Sequence, residues 1–146
     1  FRTQSRRVYP FATAYFPLYC GWASFEQAAG LVRWLDRFLQ PGGVVTSFER
    51  SGNQWDYPFG WAPLQVVAAE GLRRYRFDGE ARAVSGAFVA LVEEEFARTG
   101  TILEKYDVVN RTSSVSDEID FGYSSNEIGF GWTNGAYLVL QEILDR

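Results

Sequence analysis

Residues 51–65 read SGNQWDYPFGWAPLQ, and this stretch decides how the rest of the chain is interpreted. Prolines at positions 58 and 63 exclude a continuous helix across it and remove hydrogen-bond donors from any strand, so we expect an irregular connection. Pro63 suits the first turn of a helix, because it directly precedes the apolar-periodic run from Leu64 to Leu72. The stretch therefore predicts an aromatic loop that leads into a helix.

The side chains of this loop combine flat aromatic faces with polar groups. Trp55 supplies an indole ring, while Asn53, Gln54 and Asp56 supply amides and a carboxylate. Such combinations are typical of sugar sites, since aromatic faces pack on apolar C–H patches of a sugar ring and polar groups bond its hydroxyls. The alternative is a packed turn between two helices, in which the aromatic side chains belong to the core.

The composition is that of a globular protein, and it argues against nucleic acid and membranes as partners. A chain of 146 residues with 47% hydrophobic residues is large enough to bury a sizeable core as one domain. Its net charge of −4 gives no electrostatic reason to expect nucleic acid or an anionic membrane as a partner. No apolar run approaches the roughly 18 residues that span a bilayer, and no signal peptide is recognised.

The residue types that are present limit the chemistry. Cys20 is the single cysteine, so no intrachain disulfide is expected, and the lack of histidine excludes the usual zinc sites and nucleophile–histidine pairs. We therefore expect no cofactor and no metal, and any catalysis must use carboxylates. Methionine is also absent, including at position 1, so we expect the chain to be a piece of a longer protein.

Hydrophobic periodicity predicts helices on both sides of the aromatic loop. Ser24 and Gln27 have the spacing of a capping box at the start of the first helix, which Pro41 ends. The second helix is predicted from about Pro63 to Tyr75. The pattern indicates helices joined by elaborate loops.

Two further helices are predicted downstream. The third runs from about Gly79 to Arg98 with Asp78 as its cap, and the last is capped by Thr133 or Asn134. The segment from Thr101 to Gly131 has no sustained period and is predicted to be an irregular loop. The residues expected to face the core in these two helices are Val84, Ala87, Phe88, Leu91, Val92, Phe96, Ala136, Val139, Leu140 and Ile143.

Five stretches of the chain, in order, closely resemble segments of the trehalases, a family of inverting glycoside hydrolases that cleave α,α-trehalose to two glucoses. They read PLYCGWASFEQA, PGGVVTSFERSG, QWDYPFGWAPLQ, EKYDV and NEIGFGWTNG, and they are distributed along the chain from Pro17 to Gly135. Several matches in order make a specific signal. The resemblance implies that residues 1–146 are a single partial domain, the C-terminal segment of an all-α (α/α)6 toroid with long irregular loops at the active-site end.

Glycoside hydrolysis requires two carboxyl groups, one as an acid and one that acts on the anomeric carbon. Glu104 is the best candidate, because it follows two apolar residues and lies beside Lys105 and Tyr106, which can orient it. The alternative is a structural glutamate paired with Lys105 at a helix end. The resemblance favours catalysis, since the Glu of the family's EKY motif is its general base. The other candidate carboxylates are Asp56, Asp107, Glu118, Asp120 and Glu127.

The resemblance also implies how the substrate is held. Trp55 is expected to stack on glucose, while Gln54 and Asp56 fix the loop or bond hydroxyls, and Phe130 lines the site mouth. Tyr123-Ser124 replaces a Glu-Tyr pair that is common in the family, and Glu127 replaces a Gln. We expect Glu127 to substitute for the missing sugar-binding carboxylate.

The family's general acid lies upstream of the QWD signature, in a segment that has no counterpart here, so we expect this chain alone to be inactive. The expected partners are a disaccharide, either trehalose or a related glucoside, and the remainder of a parent chain or a second copy. Two alternatives stay open: an (α/α)6 α-glucosidase with another substrate preference, and a non-catalytic sugar-binding or structural helical module.

Overall fold

The computed structural model describes residues 9–114 and 126–146. A single 3-10 turn, Ala12–Tyr15, comes first. The α-helices are α1 Phe16–Tyr19, α2 Phe25–Phe38, α3 Ala62–Arg74, α4 Asp78–Thr99 and α5 Gly131–Asp145. Helix α3 packs against α1, α4 and α5, so it forms the centre of the described structure. The all-α prediction is confirmed.

Two small antiparallel sheets accompany the helices. Strands β1 Leu39–Gln40 and β2 Gly43–Val44 form a hairpin directly after α2. Strands β3 Phe59–Trp61 and β4 Lys105–Asp107 pair across a long separation in sequence, with Phe59 opposite Asp107, Gly60 opposite Tyr106 and Trp61 opposite Lys105. This second pair lies within two segments that were predicted to be irregular. The prediction was wrong there because strands of three residues are too short to produce a periodic pattern.

Prolines 58 and 63 do not prevent strand β3, because they flank its three residues and leave the backbone donors of those residues in place. Pro63 instead occupies the second position of α3, as predicted for a first-turn proline. Gly60 is required by the close approach of neighbouring backbone. A Cβ at this position would lie 2.5 Å from Val108 Cγ1 and 2.6 Å from the Val44 carbonyl oxygen.

A buried amide joins the first sheet to the central helix. Gln65 of α3 donates from Nε2 to the carbonyl oxygen of Val44 at 2.7 Å, and its Oε1 accepts from the Val44 backbone N–H at 2.6 Å. Gln65 is fully buried, so both polar ends of its side chain need these partners. The amide fixes the position of β2 relative to the start of α3.

The helix ends only partly follow the predictions. The capping box of α2 is confirmed, since the Ser24 hydroxyl accepts from the Gln27 backbone N–H and the Gln27 side chain accepts from the Ser24 N–H. Asp78 is not the cap of α4, because Phe77 holds the cap position and Asp78 is already helical. Thr133 and Asn134 likewise lie inside α5, whose cap position is held by Phe130.

The core contains most of the apolar side chains that periodicity places inward. In α3 they are Leu64, Val67, Ala68 and Leu72, and in α4 and α5 they are Val84, Phe88, Leu91, Val92, Ala136, Leu140 and Ile143. Phe96 and Val139 are wrong predictions, with exposed fractions of 50% and 37%. Glu95 rather than Phe96 is buried in the last turns of α4 because hydrogen bonds from Ser113 and Arg98 satisfy its carboxylate.

None of the helices within residues 9–114 and 126–146 combines the length and the apolar character that crossing a membrane requires.

Candidate active site

The pairing of β3 with β4 joins the aromatic loop of residues 51–65 to the segment that contains Glu104. Trp61 ends β3 and lies opposite Lys105, which begins β4 directly after Glu104. Side chains of opposite residues in an antiparallel pair lie on the same face of the sheet. Two motifs more than 40 residues apart in the sequence are therefore in direct contact.

Three indole rings form a cluster on this face. Trp55 and Trp61 stack with ring centroids 3.9 Å apart and planes inclined by 4°. Trp132 meets both rings edge-on, at 6.5 Å from Trp55 and 5.4 Å from Trp61. Trp61 is buried and donates from Nε1 to the carbonyl oxygen of Gln54 at 2.9 Å, whereas Trp55 is 40% exposed. The buried indole thus supports the exposed one from behind.

Glu104 and Lys105 form an ion pair beside this cluster. Lys105 Nζ donates to Glu104 Oε2 at 2.6 Å, and both side chains are buried. The ammonium lies 5.3 Å from the centroid of the Trp61 ring, within the range of a cation–π contact. A buried carboxylate needs a compensating charge, which the ammonium provides here. The candidate base is thus linked to the stacked indoles through Lys105.

Residues 126–130 lie alongside the Glu104 segment. The Glu104 backbone N–H donates to the Glu127 carbonyl oxygen at 2.9 Å, and the Gly129 N–H donates to the Ile102 carbonyl oxygen at 2.7 Å. The backbone at Glu127 is therefore directly beside Glu104, while the Glu127 residue as a whole is exposed. Phe130 packs on Trp132 with ring centroids 4.7 Å apart.

Helix α5 contributes two donors to the same segment. Trp132 Nε1 and Thr133 Oγ1 both donate to the backbone carbonyl oxygen of Glu104, at 3.3 and 3.4 Å. The carbonyl oxygen of Glu104 is thus bonded by two side chains from one helix turn. This tertiary role explains why Thr133 does not cap α5.

Asp56 follows Trp55 in the sequence, but its side chain is surrounded by hydroxyl groups and not by indole rings. Its carboxylate accepts hydroxyl hydrogen bonds from Tyr9 at 2.7 Å and Ser47 at 2.6 Å, and one from Ser51. Burial raises the pKa of Asp56, but these hydrogen bonds together with one from Asn53 outweigh it and hold the pKa below its usual value. Asp56 therefore holds the loop together in the described structure.

Of the remaining candidate carboxylates, Asp107 has a structural role, and two others lie outside the described residues. Asp107 organises a turn, since its Oδ1 accepts from the backbone N–H groups of Val109 and Asn110 and its Oδ2 accepts from the Asn110 side chain. Glu118 and Asp120 lie outside the described residues, as do Tyr123 and Ser124. In the part of the chain that is described, no three His, Cys, Asp or Glu side chains gather as metal ligands would.

Two residues of the site were missed or undervalued in the sequence. Lys105 was expected to orient Glu104 or to pair with it, but it also faces the Trp61 ring. Asn126 was not singled out, although its side chain bonds the backbone of Lys105 on both polar groups. A lone amide in a polar, glycine-punctuated loop gives no sequence signal, because its partner lies 21 residues away.

Comparison with protein families and curated proteins gives one consistent result. The family model described as Trehalase matches residues 1–145. The periplasmic trehalase of Xanthomonas campestris pv. campestris (strain B100) is 43% identical over 142 residues, which are 95% of this chain and 24% of that protein. The periplasmic trehalase of Salmonella paratyphi B (strain ATCC BAA-1250 / SPB7) is 42% identical over 134 residues, which are 91% of this chain and 23% of that protein. The chain spans about a quarter of the length of these curated relatives.

Solved structures give the same result for the fold. Neutral trehalase Nth1 from Saccharomyces cerevisiae superposes with a TM-score of 0.78 at 33% identity, covering 96% of this chain and 24% of that one. An uncharacterized conserved protein from Thermus thermophilus superposes with a TM-score of 0.67 at 20% identity, covering 95% of this chain and 32% of that one. The second likeness concerns the fold alone.

Proposed function

This chain belongs to the trehalase family and has the helical fold of part of an (α/α)6 toroid, and we propose that residues 1–146 are the C-terminal segment of a catalytic domain that hydrolyses α,α-trehalose to two glucoses. The observation that carries the proposal is the meeting of Glu104 with the Trp55–Trp61 stack through Lys105. The carboxylate can act as one of the two carboxyl groups that glycoside hydrolysis requires, and the partly exposed indole can pack against the sugar ring.

In the proposed reaction, Glu104 is the general base. Its carboxylate takes a proton from a water molecule whose oxygen forms a bond to the anomeric carbon, on the face opposite the leaving group. The glycosidic C–O bond breaks, and a carboxylic acid protonates the departing oxygen. Inversion places the two carboxyl groups roughly 6.5–9.5 Å apart, with the water between them. We propose that the acid belongs to a part of the catalytic domain outside residues 1–146.

Lys105 supports the base in this proposal. A carboxylate removed from solvent loses its hydration, and a neighbouring ammonium compensates for part of that loss. The 2.6 Å contact between Lys105 Nζ and Glu104 Oε2 provides this compensation.

The indole of Trp55 is the proposed platform for a glucose ring. Its stacking partner Trp61 is buried and bonded to the Gln54 carbonyl, so the platform is held in place before the sugar binds. We propose that Glu127 and Phe130 line the same site, since one is adjacent to Glu104 in the backbone pairing and the other packs on Trp132. Asp56 supports the loop through its hydroxyl partners.

The test is Glu104→Gln in the full-length protein that carries these residues. This change keeps the shape of the side chain and removes the base, so kcat for trehalose should fall by about 10²–10⁴-fold. The circular dichroism spectrum should stay unchanged. Glu94→Gln is the matched control, because Glu94 is an exposed glutamate of α4. Wild-type activity in Glu104→Gln would remove Glu104 from the proposed role.

A panel of α-glucosides distinguishes the remaining possibilities for the full-length protein. Hydrolysis of trehalose in preference to other α-glucosides supports the proposed substrate. Preference for another α-glucoside indicates a related hydrolase with a changed sugar site. Binding of trehalose without turnover in the wild-type protein indicates a sugar-binding module.

A further inference from the structure

We propose that Asn126 is a positioning residue, which fixes the backbone of Lys105 and thereby the orientation of the Glu104 carboxylate. Asn126 is itself held by Ser113, which is bonded to Glu95 of α4. The inference rests on the proposed role of Glu104, because Asn126 acts only through the segment that carries it.

Asn126 uses its whole side-chain amide to bind backbone. Its Oδ1 accepts from the Lys105 N–H at 3.1 Å, and its Nδ2 donates to the Lys105 carbonyl oxygen at 2.9 Å and to the Ser113 carbonyl oxygen at 3.0 Å. The amide thus bonds the N–H and the carbonyl group of Lys105 as the backbone of a neighbouring strand would. Strand β4 is therefore bonded by β3 through its register pairs and by Asn126 at its first residue.

Ser113 connects this amide to helix α4. The Glu95 carboxylate accepts from the Ser113 backbone N–H at 2.7 Å and from its hydroxyl at 2.5 Å, both at Oε2. Glu95 is in turn bonded by Arg98 through two N–H groups, at 3.0 and 2.7 Å. Glu95 and Ser113 are both buried, so these bonds are shielded from competing water.

The resulting chain of contacts runs from a long helix to the candidate base. Glu95 holds Ser113, Ser113 accepts from Asn126, and Asn126 holds the backbone of Lys105, whose ammonium binds Glu104. Catalytic groups require placement to within a fraction of an ångström, and a misplacement of about 1 Å can reduce the rate by about 100-fold. Loss of the Asn126 amide leaves the Lys105 backbone with its β3 pairing but without its support on the other side, which displaces the ion pair.

The first experiment replaces Asn126 in the full-length protein. Asn126→Ala removes all three hydrogen bonds, and Asn126→Asp keeps the acceptor for the Lys105 N–H while losing both donors. We expect kcat for trehalose to fall by about 10- to 100-fold in the alanine variant, with KM changed by less than about threefold. Asn126→Asp serves in place of the alanine variant if that variant does not fold, and it should also lower kcat.

A control variant separates this role from a general loss of stability. Asn110→Ala removes a side-chain hydrogen bond from the turn that follows β4 without touching Lys105. Its kcat should stay within about twofold of wild type when activity is divided by the folded fraction from thermal melting. If Asn126 had only a structural role, its variants would also keep the wild-type kcat after this correction for the folded fraction. Such a result for Asn126→Ala or Asn126→Asp would overturn the inference.

A second control addresses Glu95. Glu95→Gln should lower kcat by about 3- to 10-fold, because a glutamine has one acceptor oxygen in place of the two that accept from Ser113 and Arg98. Glu94→Gln should not lower kcat. Equal kcat values for the two glutamine variants would remove Glu95 from the chain of contacts.

A double-mutant cycle distinguishes failure of this inference from failure of the proposed function. If Asn126 acts through Glu104, adding Asn126→Ala to Glu104→Gln should reduce the residual kcat by less than about twofold. A further fall equal to that in the wild-type background would show that Asn126 acts independently and would overturn the inference alone. An active Glu104→Gln enzyme would overturn the proposed function, and with it any role of Asn126 through Glu104.

Discussion

Trp55 and Trp61 belong to the same stretch, residues 51–65, but differ in burial, and this difference separates their roles. Trp61 is fully packed and bonded through its indole N–H, while Trp55 rests on it with a large exposed fraction. An exposed indole held parallel to a buried one has lost conformational freedom before any ligand arrives, which favours binding. The pair therefore suits a preformed platform for a sugar ring.

Replacement of Trp55 should weaken substrate binding more than it weakens the fold. In the full-length protein, we expect Trp55→Ala to raise KM for trehalose by about tenfold, since the platform contributes on the order of 1.4 kcal/mol. Trp55→Phe retains an aromatic face and should show a smaller increase. Steady-state kinetics on both variants provides the measurement. An unchanged KM in Trp55→Ala would exclude Trp55 as the platform.

Glu95 provides a test that depends on pH. The side-chain hydrogen bond from Arg98, together with hydrogen bonds from Ser113, lowers the pKa of Glu95 to about 2 against the opposing effect of burial. Since the folded-state pKa lies below the ordinary value of 4.5, the ionised carboxylate stabilises the fold above about pH 5. This contribution is lost as the pH falls from there towards 2.

We expect Glu95→Gln to lower the free energy of unfolding by about 1–2 kcal/mol at pH 7, a value reduced from the full pKa shift because Arg98 is largely exposed. The difference from wild type should shrink steadily as the pH is lowered below 4.5. Urea unfolding at a series of pH values measures it, with Glu94→Gln as the control. A difference that stays constant between pH 7 and pH 3 would contradict the assigned contacts.

Residue chemistry predicts some of these roles and not others. The Ser24 capping box was predicted because both of its hydrogen bonds close within three residues. Thr133 was expected to cap α5, but its hydroxyl bonds the Glu104 carbonyl 29 residues away. Glu104 itself was singled out by its apolar neighbours and by the family resemblance, whereas its link to the indole cluster through Lys105 is visible only in the structure. Sequence patterns therefore reveal contacts between residues that are close in the chain, but not contacts between distant segments.

At the scale of secondary structure, the short β3–β4 pair has the largest consequence. It joins two irregular segments and sets the register that places Trp61 opposite Lys105. Helix positions were largely predictable, since α2 and α3 are amphipathic and the buried residues of α4 recur at helical spacing. The strand pair was not, because it depends on contacts between distant segments and on the absence of a side chain at Gly60.

Gly60 tests the importance of this pairing. Gly60→Ala would place a Cβ within 2.6 Å of the Val44 carbonyl oxygen and even nearer to Val108, so backbone must shift. We expect the free energy of unfolding to fall by about 2–3 kcal/mol and kcat for trehalose to fall with the displaced register. Denaturant unfolding and kinetics of the full-length protein measure the two effects.

Gly79→Ala is the matched control for this substitution. Gly79 lies in the first turns of α4, and a Cβ there meets nothing within 4 Å. Alanine should be neutral or stabilising by up to about 1 kcal/mol. If Gly60→Ala were tolerated as well as Gly79→Ala, the β3–β4 contact would not be the constraint that positions Glu104.

At the scale of the whole molecule, the surface of the 146-residue chain contains large aromatic side chains near α1 and α2. Trp22 is 82% exposed, Phe25 63% and Trp34 43%. A groove between these helices is lined by Pro17, Leu18, Trp22, Leu31 and Trp34. Contiguous exposed apolar surface of this kind is usually covered by another part of a protein or by a second molecule.

We therefore expect the 146-residue chain, expressed by itself, to self-associate. Sedimentation velocity at micromolar concentration should show species larger than a monomer. A Trp22→Ser, Trp34→Ser double variant should shift the distribution towards monomer, because it removes both indoles that line this groove. A single sharp monomer boundary for the unchanged chain would contradict this expectation.

The central claim is that Glu104 and Trp55 contact the same glucose unit. The most direct measurement is a crystal structure of the full-length Glu104→Gln protein with trehalose bound. We predict a glucose ring packed on the Trp55 indole, with the side chain of residue 104 within hydrogen-bond distance of a water molecule next to the anomeric carbon. Trehalose bound where it touches neither residue 55 nor residue 104 would contradict the claim.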